Sequence, residues 1–131
     1  MKEVKFRLWD NQSKIMRYNA MAGNYPDTVP MYWKEEDKEW YHIEYEHCEI
    51  MQYIGFKDKD GKEIYEGDII EFIHNNGYIT KDYIMFEDGR FTTGLGYNIP
   101  YFIRRRYGVK VIGNVYQDKE YKAYIDYPDG L

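Results

Sequence analysis

The densest gathering of chemistry-bearing side chains is His42-Ile43-Glu44-Tyr45-Glu46-His47-Cys48. Imidazole, carboxylate and thiolate are all zinc ligands, and a thiol beside an imidazole is the pairing of a cysteine nucleophile. The alternation that begins at Tyr41 predicts a strand, on which His42, Glu44, Glu46 and Cys48 share one face. Successive residues of that face stand about 6.6 Å apart and cannot converge on an ion bound at about 2 Å. His47 and Cys48 are neighbours, so on a strand they diverge to opposite faces. The segment therefore reads as an acidic, solvated face opposite Ile43 and Tyr45, with Cys48 as a small apolar residue.

The other chemical motifs fall to similar tests. Asp58-Lys59-Asp60-Gly61-Lys62-Glu63 has the look of a calcium loop, but a calcium loop closes on Glu at position twelve. Counted from Asp58, that position is Ile69, so the run is a turn. Ser13 is the only serine and lies in a polar turn, Asp10-Asn11-Gln12-Ser13, without a nucleophile elbow. Gly94-Leu95-Gly96 lacks the third glycine and the Lys-Ser/Thr pair of nucleotide loops. No catalytic set, metal site or cofactor is expected, and the chain reads as a non-enzyme.

The binding candidate is Arg104-Arg105-Arg106, bracketed by Tyr101, Phe102 and Tyr107. Arginine forks grip phosphates and carboxylates, and aromatic rings stack on bases. Against this stands the charge balance. Lys34 to Glu49 holds seven acids and two bases, which accounts for the net −5, while the remaining 16 acids and 16 bases cancel. The arginines are therefore read first as partners of that acidic segment, within one subunit or between two. An acidic chain does not hold nucleic acid by bulk charge, which leaves a local patch as the nucleic-acid alternative.

Aromatic residues make up 19% of the 131, with 16 Tyr, so a core of this size must leave some exposed. The single cysteine, Cys48, forms no internal disulfide, which predicts a reducing, cytoplasmic setting. The N-terminal residues lack a signal-peptide core, and no stretch has the apolar length to span a bilayer.

Around these residues the chain is organised as strands. Val4, Phe6 and Leu8 alternate with Lys5, Arg7 and Trp9, and Ile15 to Tyr18 returns as a hairpin partner. Residues 19–30, with Gly23, Pro26 and Pro30, read as a loop long enough to be mobile or functional. Trp33 and Trp40 flank a charged turn of a second hairpin, although its Glu-rich part also fits a short helix. Ile69 to Ile73, Tyr78 to Phe86, Phe91 to Thr93 and Val109 to Tyr116 follow as strands, joined by Asn75-Asn76-Gly77 and Asp88-Gly89 turns. Tyr97 to Tyr107 is ambiguous, and the tail from Asp118 fits one or two helical turns. Val4, Phe6, Leu8, Ile69, Phe72, Val111, Ile112 and Val115 are the expected core.

Three runs also resemble a known family. Gln52-Tyr53-Ile54-Gly55-Phe56-Lys57-Asp58-Lys59-Asp60-Gly61-Lys62-Glu63-Ile64-Tyr65-Glu66-Gly67-Asp68-Ile69-Ile70 resembles the hallmark of the YopX family of small phage and prophage proteins, with Ile54 where the family carries Thr. Val4-Lys5-Phe6-Arg7-Leu8-Trp9-Asp10, followed by Lys14-Ile15-Met16, and Val111-Ile112-Gly113-Asn114-Val115-Tyr116 are similar to its N- and C-terminal elements. The resemblance implies phage or prophage origin and an SH3-like barrel in the C-terminal part, and it assigns no activity. The strand spacing predicts a mainly β protein, with β-rich α+β as the variant. An N-terminal β-hairpin subdomain over 1–50 is expected beside a small barrel with a tail over 51–131. The expected role is a non-enzymatic, self-associating homo-oligomer that binds an unidentified phage or host protein in the host cytoplasm, with no membrane contact.

Overall fold

The computed structural model describes residues 3–24, 26–104 and 108–126, the side chains of 123–126 excepted. The chain divides into two compact units, Met1–Tyr53 and Ile54–Leu131. The described residues are mainly β and carry two antiparallel sheets.

In the first unit, β1 (Phe6–Asp10) is flanked by β2 (Ile15–Met21) and by the leading half of β5 (Cys48–Lys57). β2 pairs with β3 (Met31–Lys34), which pairs with β4 (Glu39–His42) to give the order β4-β3-β2-β1-β5. The charged run 34–39 is thus a hairpin turn and not a helix, in the register Trp33↔Trp40 and Lys34↔Glu39. Lys38 takes a left-handed φ of 52° there. Between β4 and β5 the expected strand alternation breaks at a 3-10 turn, Tyr45–His47.

The hairpin reading of β1 holds, but its polarity pattern does not. Val4 precedes the strand and is 63% exposed, and Phe6 is half-buried. Leu8, Arg7, Trp9 and Asp10 are all buried, so neither face of this strand is left to solvent. Arg7 is accommodated with its guanidinium over the Tyr18 ring, 5.9 Å from the centroid. Arginine can be buried this way because its charge is spread over a flat, weakly hydrated group. Leu8, Ile43 and Cys48 form the apolar cluster on the other face, with Ala20, Tyr32 and Ile50 packed against it.

In the second unit, the end of β5 borders β6 (Glu63–Tyr65), and a four-stranded sheet runs β10-β7-β8-β9. Its members are β7 (Asp68–Ile73), β8 (Ile79–Glu87), β9 (Arg90–Thr93) and β10 (Val109–Asn114). β9 and β10 are the two ends of this order, so no closed barrel is found among the described residues. What is found of this part is an antiparallel sheet, without the closure of the expected SH3-like barrel. Gly67 makes the corner into β7, donating to the Ile84 carbonyl and accepting from the Val115 N–H, both at 2.8 Å.

The core of this unit gathers Ile54, Ile64, Ile70, Phe72, Ile84, Ile99, Phe102, Val109 and Val111. Ile69 is also buried, while the expected core residues Ile112 and Val115 are half-buried. β10 stops at Asn114, earlier than the pattern suggests. There the Asn114 side-chain oxygen accepts the N–H groups of Tyr116 and Gln117 and turns the chain. The tail forms α2 (Lys119–Asp126), which lies along β8 with Lys122 over the Tyr83 ring and Lys81 over that of Tyr121.

Candidate functional site

The ambiguous stretch before the arginines resolves into α1 (Ile99–Ile103), a short helix whose start is written in the sequence. Asn98 accepts the Tyr101 N–H at 3.1 Å, and Pro100 fills the first turn, where its missing donor costs nothing. Phe102 fastens the helix inward, edge-on to Phe72 at 5.0 Å and to His74 at 5.3 Å. Tyr101, one residue away, consequently faces out and is 43% exposed. Arg104 caps the helix and shares with Asn98, Pro100 and Tyr101 the wall of a hollow of about 540 Å³. The structure thus brings two of the expected binding residues together; Arg105, Arg106 and Tyr107 lie outside the described residues.

The acidic segment is displayed on the first unit. Its two lysines are engaged within the hairpin turn, Lys34 with Asp37 and Lys38 with Glu35, each at 3.8 Å. Such exposed pairs hold weakly, typically ~0–1 kcal/mol. Glu39, Glu44, Glu46 and Glu49 are exposed further along. Asp37 also accepts a short hydrogen bond from the Tyr41 hydroxyl, which pushes that phenol up to about 12. Tyr41 stacks on Tyr32 at 5.8 Å, and Arg17 lies 4.5 Å over Tyr32, so one cation and two rings form a row across β2, β3 and β4.

Buried carboxylates, the usual raw material of acid–base catalysis, are occupied by backbone in this molecule. Asp58 accepts from the N–H groups of Asp60, Lys62 and Val111, each at 2.9 Å. Asp68 accepts from Tyr65, and Asp82 from Tyr83 and Leu95. Asp10 accepts from Gln12 and Ser13 and lies 3.5 Å from Arg17. Burial by itself raises the Asp10 pKa, but the backbone donors and Arg17 outweigh it and hold the carboxyl below its ordinary value. These aspartates fix turns.

Cys48 is 6% exposed, and burial pushes its thiol up to about 11, with Glu49 and Asp10 adding to the effect. An attacking thiolate needs the opposite shift. His47 instead sits 3.5 Å from Glu46. Among the described residues, no three His, Cys, Asp or Glu side chains gather as a metal site would require. No described helix is long and apolar enough to cross a membrane.

One feature of the first unit was not legible as a site. A groove of about 1120 Å³ opens where Val4 and Phe6 meet Met21, Met31 and Val29. The loop after β2 walls it and is held in place: Asn24 and Thr28 bridge each other, and Tyr45 donates to the Thr28 carbonyl at 3.0 Å. Gly23 permits the close approach, since a Cβ there would lie 2.7 Å from the Tyr45 hydroxyl and 2.8 Å from the Val29 carbonyl carbon. The sequence signal was Gly23 between two hairpins, together with methionines placed where strands end.

Comparison with known proteins adds three findings. The family model described as YopX protein matches residues 5–121. A crystal structure of protein EF1440 from Enterococcus faecalis is similar at a TM-score of 0.68 and 25% sequence identity, covering 92% of this chain and 98% of that one. No curated protein matches the chain.

Proposed function

The chain belongs to the YopX protein family, and we propose that it is a non-enzymatic interaction protein of phage or prophage origin. In this reading it self-associates and docks a partner protein in the host cytoplasm. The observation that carries the reading is where the aromatic and acidic side chains stand. Tyr18, Trp40, Tyr78, Phe86 and Tyr101 are each more than 40% exposed, while the buried aspartates serve backbone turns. Large, rigid, amphipathic rings at the surface suit protein contact better than solvent.

Opposite charge supplies direction. The acidic display on the first unit and the arginine run at 104–106 suit pairing between copies. Light scattering on the purified protein is expected to give more than the monomer mass of 16.0 kDa. Replacing Arg104, Arg105 and Arg106 with Glu is expected to shift that mass downward. A monomer over the whole accessible concentration range counts against self-association.

A second reading is favoured by the hollow beside Tyr101 and Arg104, an exposed ring next to a cation. Single-stranded nucleic acid uses that combination. Binding to a short labelled oligonucleotide, falling steeply with salt and lost in the triple Glu variant, would promote it over the first.

A further inference from the structure

The groove of the first unit combines an apolar side with a polar rim. Its apolar side is supplied by Val4 and Met21, 63% and 49% exposed, with Phe6, Val29 and Met31 beside them. An exposed valine and methionine at one groove are apolar surface with water on it. Methionine is unbranched and polarizable, so Met21 and Met31 can re-pack around different side chains. The polar rim is supplied by Asp27, Glu44, Thr28 and His42; its two carboxylates face no lysine or arginine in the lining among the described residues. Glu44 is the one residue of the acidic segment 34–49 whose carboxylate lines the groove; the charged turn lies at the other end of the β3–β4 hairpin.

We propose that this groove binds a peptide segment of a partner protein in which apolar anchors alternate with lysine or arginine. The inference rests on the interaction reading above and names the class of partner. Charge complementarity selects a basic partner. The size admits a polymer segment: at about 1120 Å³ the groove is open and stands at the upper end of the range of small-ligand pockets, about 300–1,000 Å³. The wall is also set before any ligand arrives, through the hydrogen bond from Tyr45 to Thr28 and the close packing at Gly23. A preformed wall reduces the ordering that binding must impose.

Fluorescence anisotropy with a labelled leucine–lysine amphipathic peptide tests this, alongside a leucine–glutamate counterpart. The basic peptide is expected to bind and the acidic one not to. Met21→Asp, and separately the pair Asp27→Lys with Glu44→Lys, are each expected to weaken binding roughly tenfold or more. These side chains are exposed, and circular dichroism serves to check that each variant is folded. Glu87→Lys, on an exposed strand end of the second unit, serves as the charge control and leaves binding unchanged.

Methionine-methyl NMR locates the contact: Met21 and Met31 signals move on titration with the basic peptide. Equal binding of both peptides, an unaffected Met21→Asp variant, or unmoved methionine signals overturns the proposal. Sedimentation of the same samples separates it from self-association. If Met21→Asp turns an oligomer into a monomer, a second copy fills the groove and the peptide assignment falls. If the wild-type protein is an oligomer that binds neither peptide, the peptide assignment falls and the interaction reading stands.

Discussion

The carboxylate of Asp58 and the backbone N–H of Val111 meet at 2.9 Å across 53 positions of sequence. The other Asp58 oxygen accepts from Asp60 and Lys62, so one side chain both closes a turn and ties it to β10. Lys59 adds a backbone bond to Val109 at 3.0 Å, and Val115 one to Gly67 at 2.8 Å. Two of the runs that carry the family resemblance are thus hydrogen-bonded to each other. Asp58, Lys59, Gly67, Val111 and Val115 serve the architecture of the second unit.

Asp58→Ala should therefore cost about 2–4 kcal/mol, since it strands a buried N–H at Val111 and frees two turn donors. Asp58→Asn is the sharper test, because an amide has one acceptor oxygen and cannot serve both ends. Urea denaturation should place it between wild type and Asp58→Ala. An Asn variant as stable as wild type would remove the two-ended role.

Core truncations should rank by burial. Ile64 and Phe72 are fully buried within the nine-residue cluster of the second unit, whereas Ile112 is half-buried. Ile64→Ala and Phe72→Ala are expected to cost about 3–5 kcal/mol. Ile112→Ala should fall clearly below both. Equal losses at Ile64 and Ile112 would contradict the packing described.

The pH dependence has two limbs. Asp10 is held below its ordinary value of 3.8, so it favours the ionised form in the folded state. Its contribution is present above that value and is lost as pH falls through the folded pKa. Cys48 is raised from 9.0 to about 11, so folding favours the protonated thiol. That contribution is complete below pH 9 and is lost as pH rises towards about 11. Urea midpoints across pH should fall at both ends. Asp10→Asn should differ from wild type most at neutral pH and converge with it in acid, while Cys48→Ala should flatten the alkaline limb. Iodoacetamide should leave native Cys48 unmodified at neutral pH, and rapid labelling without unfolding would refute its burial.

What the sequence made legible was local chemistry. The Asp58 turn, the Asn75-Asn76-Gly77 turn and the Trp33/Trp40 hairpin each follow from a few adjacent residues, and each is present. Arg7 was read as solvent-facing because alternation assumes a sheet with one wet face, and β1 has none. Val4 was assigned to the core by the same parity, although the strand begins only at Phe6. The groove as a whole was not legible, because beyond the Gly23 signal its walls come from residues in and around β1, β2, β3, β4 and the loop before β3, a juxtaposition that no local pattern encodes. Of the arginine site, the sequence signalled the exposed Tyr101 and Arg104, and its remaining residues lie outside those described.

Gly23 and Gly61 provide a matched pair for testing that groove. Both have left-handed backbones, φ 78° and 85°, so an alanine at either costs about 1–2 kcal/mol for its Cβ. At Gly61 nothing lies within 4 Å of the added methyl group. At Gly23 it would meet the Tyr45 hydroxyl at 2.7 Å, the Val29 carbonyl carbon at 2.8 Å and the Pro30 nitrogen at 2.9 Å. Two of those three atoms are backbone and cannot swing aside as a side chain would. Gly23→Ala should therefore lose more stability than Gly61→Ala in urea, and should also shift the Met21 and Met31 methyl signals, which Gly61→Ala leaves in place. Equal losses from the two substitutions, with the methionine signals unmoved in both, would mean that the loop before β3 is not packed against Tyr45 and that the groove lacks its wall.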